Sequence, residues 1–467
     1  MFLNIDKQKK NKVAVRDSDG HVLTYGQLKE TMFRTGKNIS ERCVTFCLCR
    51  NNAGGVAGYL GLTEAGAVPL MLDSKLDKEL LRHFYDLYRP SYLWMPEDLT
   101  EGMKSRIVFS ELGYCLVKTD QSPYPLHPDL QLLMTTSGST GSPKLVRYKK
   151  GNLEANARNV AEAFSWSEYE RPVCDLGIQY TMGLNVINTH LYVGATLLLT
   201  TANLMSSDFW DFAEKEKATN FTGVPFSYEI LSRLHFAKMD LPALTTLAQG
   251  GGKLTDKRFR EYASYAKENN KRFIATFGTT ETAARMSILP ADEAEKRTGS
   301  IGKAIPEGEL FLIDEGGLVL TGMEAEGELC YKGPNVTMGY AYNREDLQKG
   351  DEWCGTFYTG DLARRDKDGF YYIVGRKSRF LKLLSYRISL DQCENLIREQ
   401  LEIDCACTGN DRQMEIYITE DGCEEKVIDL ICNKTGLYRT LFKVIKTDSI
   451  ERTSSGKIKY DRLKDKK

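Results

Sequence analysis

The first part of the chain alternates short apolar runs with helix-like segments. The run CVTFCLC at 43–49 predicts a buried strand, GGVAGYLGLTEAGA at 54–67 predicts a helix rich in small residues, and AVPLML at 67–72 predicts the next strand. The same succession of strand, helix and strand recurs at 195–201, 206–218 and 219–225. Strands that alternate with helices favour parallel sheets covered by helices, so we predict an α/β fold for this part.

The pattern changes near residue 300. The stretches GELFLIDEGGLVL at 308–320 and EGELCYKGP at 326–334 are typical of short antiparallel strands joined by glycine turns. We therefore predict that the large N-terminal domain, residues 1–376, combines helix-covered β-sheets with a small antiparallel part.

From Gly375 onward the chain is more charged and mixes short strand and helix patterns. A hairpin is predicted around TGNDRQ at 408–413, where a polar turn separates two apolar runs. We place a domain boundary near Arg376 and predict a small, mobile α+β C-terminal domain that covers residues 377–467.

Composition narrows the class of protein. The chain of 467 residues is 42% apolar, so it can bury a large core and divide into two or more domains. Its 63 Lys and Arg against 64 Asp and Glu give a net charge of −1, which disfavours nucleic acid as the main partner. No apolar run approaches the ~18–20 residues that span a bilayer. Because the start MFLNIDKQKKNKVAV is polar, we expect a cytoplasmic protein.

Twelve cysteines raise the question of a metal or disulfide framework. Several of them fall in apolar, strand-like runs, such as CVTFCLC at 43–49 and CACTG at 405–409. The chain contains no C-x-x-C pair, and its five histidines all precede residue 236. This spacing favours buried, reduced thiols over a zinc site. Any chemistry in the C-terminal half must therefore use Lys, Arg, Asp or Glu.

The segment TTSGSTGSPK at 135–144 is too small and polar to pack a core. Gly138 and Gly141 let backbone N–H groups turn towards an anion, and Lys144 adds positive charge. Its other hydrogen-bond donors are the hydroxyl groups of Thr136, Ser137, Ser139 and Thr140. These are the parts of a phosphate-binding loop, although the spacing differs from the Walker motif G-x-x-x-x-G-K-[ST]. A solvated linker is the alternative, which the strand pattern before the segment and the helix pattern after it disfavour.

Further motifs follow the loop in chain order. They are FGTTE at 277–281, YTGD at 358–361, GFYYIVGR at 369–376 and RTSSGKIKY at 452–460. Together with the loop, these motifs resemble those of the adenylate-forming superfamily of acyl- and aryl-CoA synthetases, luciferases and stand-alone adenylation domains. The resemblance covers nearly the whole chain and implies ATP and Mg²⁺ as cofactors.

The resemblance also implies where the nucleotide binds. The loop from Thr136 to Lys144 would enclose the β- and γ-phosphates of ATP. Asp361 would accept hydrogen bonds from the ribose hydroxyls, with Arg376 beside it. The remaining positions implied for ATP binding are Gly251, Gly252, Phe277, Gly278 and Thr279. Among them, Phe277 matches the position where relatives have an aromatic ring against adenine.

The same resemblance implies the catalytic groups. Thr280 would reach the α-phosphate, and Glu281 would bind Mg²⁺, for which a carboxylate is a suitable ligand. Lys457 would bridge the substrate carboxylate and the α-phosphate, although an ordinary surface lysine in a basic tail is the alternative reading of that residue. The carboxylate would attack the α-phosphorus, pyrophosphate would leave, and a thiol would then attack the acyl-adenylate.

In the superfamily the small domain rotates between these two half-reactions. The resemblance places the hinge at Ser378, where relatives commonly have Asp or Lys. It also places Ser385 where relatives usually have a glycine, at the point where the pantetheine chain of the thiol passes. Because serine adds a Cβ and a hydroxyl group, we expect a thiol route that is retained but altered.

The choice of acid would be made by the stretches at 179–198 and 223–225. Amino-acid-activating relatives place an aspartate in the first stretch, where it holds the α-ammonium group. No Asp or Glu occurs from Gln179 to Thr200, and a buried ammonium group without a counter-charge is costly. We therefore expect an apolar acyl or aryl acid, not an α-amino acid. The predicted pocket residues are Tyr180, Met182, Gly183 and Val224, for which simple packing of a helix on a sheet is the alternative.

Two functions remain open from the sequence. An acid–thiol ligase would transfer the acyl group to CoA or to the pantetheine of a carrier protein. An adenylate-binding module with weak or no ligase activity would bind ATP without carboxylate-dependent exchange. Four residues that the chemistry needs are present and favour the ligase; they are Glu281, Asp361, Arg376 and Lys457. Luciferase-like oxidation has no support in the sequence.

Overall fold

The computed structural model of the chain describes residues 1–135, 144–377, 379–384, 386–453 and 456–466. Its strands are, in chain order, β1 Val13–Asp17, β2 Val22–Thr24, β3 Val44–Cys49, β4 Val68–Asp73, β5 Tyr92–Pro96, β6 Ile107–Glu111, β7 Tyr114–Lys118, β8 Leu130–Thr135, β9 Leu145–Lys149, β10 Pro172–Cys174, β11 Leu197–Leu199, β12 Asn220–Gly223, β13 Thr246–Gln249, β14 Arg272–Phe277, β15 Ser287–Leu289, β16 Lys303–Ala304, β17 Glu309–Ile313, β18 Ala325–Lys332, β19 Tyr340–Ala341, β20 Thr356–Arg365, β21 Tyr371–Arg376, β22 Phe380–Leu383, β23 Tyr386–Ser389, β24 Cys405–Asn410, β25 Gln413–Ile418 and β26 Phe442–Lys446. Its α-helices are α1 Tyr25–Gly36, α2 Ala53–Glu64, α3 Lys78–Tyr88, α4 Asn152–Phe164, α5 Thr181–Tyr192, α6 Ser207–Lys215, α7 Pro225–Arg233, α8 Asp256–Glu268, α9 Leu390–Leu401 and α10 Glu424–Thr435.

Two large mixed sheets form the body of the N-terminal part. The eight-stranded sheet has the order β19-β9-β8-β4-β3-β5-β7-β6, and the nine-stranded sheet has the order β16-β15-β14-β13-β12-β10-β11-β1-β2. The central neighbours are parallel, as in β4-β3-β5 of the first sheet and β10-β12-β13-β14 of the second. Antiparallel strands lie towards the edges. The predicted parallel, helix-covered sheets are confirmed.

The helix α2 is enclosed between these sheets. It is buried along nearly its whole length, as expected for a helix without a solvent-facing side. Its small residues allow close packing, because a Cβ on Gly58 would lie 1.8 Å from the indole nitrogen of Trp94 on β5. Side chains of α1, α2 and α5 share one continuous core with residues of both large sheets. These helices therefore pack between the two sheets and join them through one core.

A small antiparallel sheet, β17-β18-β20-β21, follows the second large sheet and confirms the predicted change of pattern. The C-terminal part then contains the hairpin β22-β23 and the three-stranded sheet β24-β25-β26. The predicted turn at 408–413 is confirmed, because Asn410 pairs with Gln413 across the β24–β25 hairpin. Apolar residues from Leu381 to Val444 form a separate core there.

Polar contacts link the C-terminal part to α8. Glu399 accepts a hydrogen bond from the backbone N–H of Asp256 at 3.3 Å, and Lys257 pairs with Glu402. The Lys257–Glu402 pair is exposed, so it contributes little to the stability of this arrangement. Among the helices of the described residues, none is long and apolar enough to cross a membrane.

Candidate active site

The motif FGTTE lies in a tight turn at the end of β14. After Phe277 the chain forms a short 3-10 helix at 280–282, and β15 then runs back antiparallel to β14. Gly278 is required here, because a Cβ at this position would lie 1.6 Å from the carbonyl oxygen of Ala284. Phe277 is half-buried and packs against the apolar cluster around Met286. The close approach of the backbone in this turn therefore requires a glycine at position 278.

Hydroxyl groups of neighbouring elements hold the turn in place. Tyr148 on β9 donates a hydrogen bond to the carbonyl oxygen of Thr280 at 2.6 Å, and Thr181 at the start of α5 donates to the Thr280 hydroxyl at 3.1 Å. Within the turn, the N–H of Thr279 donates to the hydroxyl of Thr282 at 3.3 Å. Both the backbone and the side chain of Thr280, the residue that the resemblance assigns to the α-phosphate, are therefore held by hydrogen bonds.

Glu281 is held by the strand on the far side of the site. Tyr340 on β19 donates its phenol to Oε1 of Glu281 at 2.6 Å. The carbonyl oxygen of Glu281 also accepts the N–H and the hydroxyl of Thr337, both at 3.0 Å. Burial raises the pKa of Tyr340, and the nearby Glu281 carboxylate raises it further, so the phenol remains a donor. The carboxylate therefore has a fixed orientation.

Lys144 lies next to the same tyrosine. Its Nζ is 3.8 Å from the centroid of the Tyr340 ring, which is a cation–π contact. One aromatic ring thus connects the end of the predicted phosphate-binding loop with Glu281. The other predicted positions of that loop lie outside the described residues; they are Thr136, Ser137, Gly138, Ser139, Thr140 and Gly141. Ser378 and Ser385 also lie outside the described residues.

Asp361 and Arg376 pair within the small antiparallel sheet. They face each other in the β20–β21 ladder, and Nε of Arg376 lies 3.0 Å from Oδ1 of Asp361. Asp361 is only 3% exposed, whereas Arg376 reaches solvent. Burial raises the pKa of Asp361 to about 6, and the charges of Arg376 and Lys457 oppose this rise. The carboxylate is thus partly dehydrated before any ligand binds.

Lys457 enters the same cleft from the C-terminal part. Thr453 holds its backbone, because the Thr453 hydroxyl accepts the Lys457 N–H at 3.1 Å and the Thr453 N–H donates to its carbonyl at 2.7 Å. The side chain reaches solvent, but the walls of the cleft withdraw enough water to lower the pKa of its ammonium group. Arg376 lowers that pKa further, whereas the charges of Glu281 and Asp361 raise it. The charges of three residues that are far apart in sequence therefore act on this lysine.

An apolar wall lies beside these polar groups. Leu176, Met182 and Val224 are buried together in one small cluster, which we call the apolar wall. A Cβ on Gly456 would lie 2.7 Å from the Cβ of Phe226, a residue in the first turn of α7. The loop that carries the lysine therefore packs against the helix that begins next to the apolar wall.

Two glycines keep the corner between β13 and α7 open. Gly251 has a φ of +76°, and a Cβ there would lie 2.9 Å from the Val224 side chain. A Cβ on Gly252 would lie 3.0 Å from the ring of Pro225. Larger residues at these positions would fill the space between the apolar wall and the end of β13. Their role in nucleotide binding stays a prediction.

The remaining predicted pocket residues lie at the start of α5. Tyr180 is the N-cap residue of this helix and is partly exposed. Gly183 packs against the loop that precedes it, because a Cβ there would lie 2.3 Å from the carbonyl oxygen of Gly177. Close helix packing therefore explains the glycine without a ligand, and its contact with a substrate stays a prediction.

Several residues of the site were not predicted from the sequence. Tyr340 and Thr181 carry no motif of their own that points to the FGTTE turn. Asp175 follows β10 directly, and an acid at the carboxyl end of a parallel strand is a signal that could have found it. Its Oδ2 accepts a hydrogen bond from Ser227 at 2.8 Å, and burial raises its pKa to about 6.

The donor groups around Glu281 fit a magnesium ion. The Glu281 carboxylate and the adjacent Thr280 hydroxyl offer the oxygen ligands that Mg²⁺ prefers. Tyr340 already holds one oxygen of the carboxylate, as partners of metal ligands commonly do. These residues would therefore hold the ion beside the phosphates of a bound nucleotide.

ATP binding is expected to weaken as the pH falls below about 6, because protonated Asp361 is a poorer acceptor for the ribose hydroxyls. The pKa of Asp361 in the folded protein lies above its ordinary value of 3.8, so between these values the folded protein holds a proton that the unfolded chain has released. The proton bound to Asp361 therefore stabilises the folded protein at low pH. This stabilisation is lost as the pH rises through about 6. Titration with a fluorescent ATP analogue across this pH range measures the effect.

Asp361→Asn is the matched control for this titration. The amide cannot titrate, so the variant should bind ATP more weakly at neutral pH and lose the part of the pH dependence that Asp361 causes, which leaves only the part due to the terminal phosphate of ATP, whose pKa is about 6. An Asn variant that keeps the pH dependence of the unsubstituted protein would assign the titration to another group.

Comparisons with known proteins extend these observations. The family model described as AMP-binding enzyme matches residues 3–341. A 2-succinylbenzoate–CoA ligase of Listeria monocytogenes serotype 4b (strain F2365) is 24% identical over 470 residues, which cover 97% of this chain and 92% of the relative. An indoleacetate–CoA ligase of Aromatoleum aromaticum is 29% identical over 350 residues, which cover 71% of this chain and 66% of the relative. The solved O-succinylbenzoate coenzyme A synthetase of Bacillus subtilis, in complex with ATP and magnesium ion, has a TM-score of 0.81 at 20% identity and covers 99% of this chain and 98% of that chain.

Proposed function

The chain belongs to the family of AMP-binding enzymes, and on this premise we propose that it is an AMP-forming ligase that joins a carboxylic acid to the thiol of CoA. It uses ATP to convert the acid into an acyl-adenylate, from which the thiol displaces AMP. The relatives named above are CoA ligases. One observation carries the proposal: four chemically competent residues converge on one cleft, namely Glu281, Asp361, Arg376 and Lys457.

In the first half-reaction a carboxylate oxygen of the acid attacks the α-phosphorus of ATP. The new O–P bond forms while the bond from the α-phosphorus to the bridging oxygen breaks, and pyrophosphate leaves with the electron pair. Lys457 bridges the substrate carboxylate and the α-phosphate, so it aligns the nucleophile and neutralises the charge on the α-phosphate oxygens in the transition state. Thr280 donates a hydrogen bond to the α-phosphate. Positioning and charge neutralisation therefore account for most of the acceleration.

Other residues hold the nucleotide in place. Asp361 accepts hydrogen bonds from the ribose hydroxyls, and Lys144 brings positive charge to the terminal phosphates. Bound Mg²⁺ supplies further neutralisation of the triphosphate. Glu281 offers the carboxylate that would hold this ion, and Tyr340 orients that carboxylate through the 2.6 Å hydrogen bond.

In the second half-reaction the sulfur of the thiol attacks the acyl carbon. The C–S bond forms, the bond from the acyl carbon to the phosphate oxygen breaks, AMP leaves, and the thiol proton is released. Rotation of the C-terminal part at Ser378 takes Lys457 out of the cleft and brings Ser385 towards the thiol route. Support for such a rotation comes from the separate core of the C-terminal part and from the small stability of the exposed Lys257–Glu402 pair that would have to break.

The acid has an apolar acyl or aryl body and lacks an α-ammonium group. Support comes from the apolar wall of Leu176, Met182 and Val224 and from the absence of Asp and Glu between residues 179 and 200. CoA is the acceptor thiol. A carrier protein presents the same pantetheine thiol and remains the alternative acceptor to be tested.

The remaining parts of the proposal concern organisation and location. The domain boundary is placed after Arg376, which is the last residue of β21 and the last to pair in the small antiparallel sheet. Location in the cytoplasm stays a prediction, which the twelve free cysteines support, since thiols persist in reducing compartments.

Exchange of labelled pyrophosphate into ATP tests the first half-reaction. We expect purified full-length protein to catalyse exchange that depends on Mg²⁺ and on a carboxylic acid from a panel of aliphatic, aryl and amino acids, with the α-amino acids inactive. ATP binding without exchange on any acid would favour an adenylate-binding module instead. The active acid is then offered with CoA or with a pantetheinylated carrier protein. We expect the CoA thioester to form, whereas acylation of the carrier alone would move the proposal to a carrier-protein ligase.

A further inference from the structure

One arginine near the nine-stranded sheet is buried and has no carboxylate partner in the part of the chain that the structure describes. Arg285 follows Glu281 by four residues and is 0% exposed. Its Nη1 donates a hydrogen bond to Oδ1 of Asn185 on α5, whereas its Nε and Nη2 have no hydrogen-bond partner among the described residues. Burial of a guanidinium group with unpaired N–H groups is costly unless a ligand pairs with them.

The backbone before this arginine is strained. Ala283 and Ala284 have φ angles of 55° and 97°, in the left-handed region that residues with a Cβ rarely adopt. The backbone carbonyl of Arg285 accepts a hydrogen bond from Nδ2 of Asn156 on α4 at 2.9 Å. The strained turn thus places the arginine between α4, α5 and the sheet. Strain of this kind persists where the surroundings impose it and is frequent in binding sites.

The side chains around Arg285 are aromatic or neutral. Its Cζ lies 5.0 Å from the ring centroid of Phe164 and 5.7 Å from that of Trp166. Trp166 in turn packs against His190, with ring centroids 4.1 Å apart. Burial lowers the pKa of His190 to about 3, so this ring is neutral at physiological pH.

The charge of Arg285 is therefore not balanced by its described neighbours. Burial lowers its pKa to about 10, which leaves the guanidinium cationic at neutral pH. The ionisable groups that act on this pKa are the thiol of Cys174 and the phenol of Tyr228. Burial raises the pKa of both groups, so neither is an anion at neutral pH.

The hydrogen-bond partner of Arg285 lies one turn of α5 beyond the apolar wall. This partner, Asn185, follows Met182 by three residues on α5, so both side chains are on the same face of the helix. Farther along α5 and on β12, the hydroxyl oxygens of Thr189 and Thr222 are also buried without a hydrogen-bond partner among the described residues. The region behind the apolar wall is therefore polar, cationic and incompletely hydrogen-bonded.

We infer that Arg285 binds a second carboxylate of the substrate, at the end opposite the carboxyl group that is activated. The acid is then a dicarboxylic acid whose apolar or aryl body extends past the apolar wall. The inference rests on the proposed ligase function and adds the class of acid. Nε and Nη2 lie on the same edge of the guanidinium group, which is the edge that matches the two oxygens of a carboxylate. Arg285 is thus a specificity-determining residue.

Pyrophosphate exchange with matched acids tests this inference. The probes are terephthalic acid and a series of α,ω-dicarboxylic acids of increasing chain length. Each acid is compared with its own monoamide, which has a similar shape and lacks the second charge. We expect at least one diacid to exceed its monoamide in kcat/KM by roughly tenfold or more, because the amide lacks the negative charge and has only one of the two acceptor oxygens.

Variants of Arg285 show whether this residue causes the preference for the diacid. Arg285→Met removes the charge and should bring the ratio of diacid to monoamide down to about two, the statistical value for two equivalent carboxyl groups against one, while exchange with the monoamide continues. Arg285→Lys should restore part of the preference for the diacid, because an ammonium group keeps the charge but not the planar edge. The matched control is Arg158→Met, which removes an exposed arginine of α4 that pairs with Glu307 and should leave the ratio unchanged.

Thermal unfolding separates recognition from a structural role. The Arg285→Met variant loses an unbalanced buried charge, so its Tm should not fall below that of the unsubstituted protein. Lower Tm values in both Arg285 variants, with equal losses on all acids, would assign the arginine a structural role and overturn the inference.

The exchange assay itself distinguishes failure of the ligase function from failure of the inference that Arg285 binds a second carboxylate. A kcat/KM for every diacid that exceeds that of its monoamide by no more than the statistical factor of about two would overturn the inference but leave the ligase function standing. Absence of exchange with all acids would reject the ligase function. If Arg285→Met does not fold, the Lys variant and the ratio in the unsubstituted protein still decide the question.

Discussion

Replacement of Lys457 by alanine is expected to slow adenylate formation by on the order of 100-fold or more, whereas the Kd for ATP should change little. The ammonium group lies in the cleft where the charges of Glu281, Asp361 and Arg376 act on it. It is therefore placed to neutralise charge that develops mainly in the transition state. The measurements are the rate of acid-dependent pyrophosphate exchange and the Kd for ATP from equilibrium titration.

The two half-reactions should respond differently to this change. Thioester formation from preformed acyl-adenylate should lose much less activity, because the C-terminal part carries Lys457 away before the thiol attacks. Lys459→Ala is the matched control, since Lys459 is an exposed lysine two residues farther along the same segment. Equal losses in both half-reactions, or a similar loss in the Lys459 variant, would contradict this division of roles.

Replacement of Glu281 by glutamine is expected to reduce exchange by on the order of 100-fold at low Mg²⁺ and to raise the Mg²⁺ concentration needed for the half-maximal rate. The amide keeps the size of the side chain and can still accept the hydrogen bond from Tyr340, but it lacks the negative charge that attracts the ion. Part of the activity should therefore return at high Mg²⁺. Exchange rates measured over a series of Mg²⁺ concentrations show whether it does.

Tyr340→Phe separates the orientation of this carboxylate from its charge. The variant loses the phenol that donates to Glu281 at 2.6 Å and keeps the ring that contacts Lys144. We expect a smaller loss of exchange, about tenfold, together with a smaller rise in the Mg²⁺ requirement. A Glu281→Gln variant with an unchanged dependence on Mg²⁺ would show that another residue holds the ion.

Many elements of the fold could be predicted because local patterns specify them. The run at 43–49 forms β3, and the small-residue segment that follows forms α2. The polar turn between two apolar runs forms the β24–β25 hairpin. In each case the signal depends on residues within a few positions of one another, so no distant contact has to be known.

The partners of the site residues could not be predicted in this way. Tyr340 lies on β19 of the eight-stranded sheet, and Glu281 lies 59 residues earlier, in the turn that joins β14 and β15 of the nine-stranded sheet, yet their side chains share a hydrogen bond. The resemblance to adenylate-forming enzymes pointed to Glu281 but not to the phenol that orients it. The pattern of apolar and polar residues along the chain does not show which strand edges face each other across the cleft.

The sequence by itself determined the order of strands and helices and the motifs that carry the chemistry, because hydrophobic period, turn residues and motif spacing are local properties. Only the tertiary structure decided that the charges of Glu281 and Asp361 act on Lys457, since this proximity depends on how the C-terminal part packs against α7 and α8. It alone decided that Arg285 is buried without a carboxylate partner among the described residues. Burial and charge pairing arise only when separate segments come into contact, and they control which acid the pocket can hold.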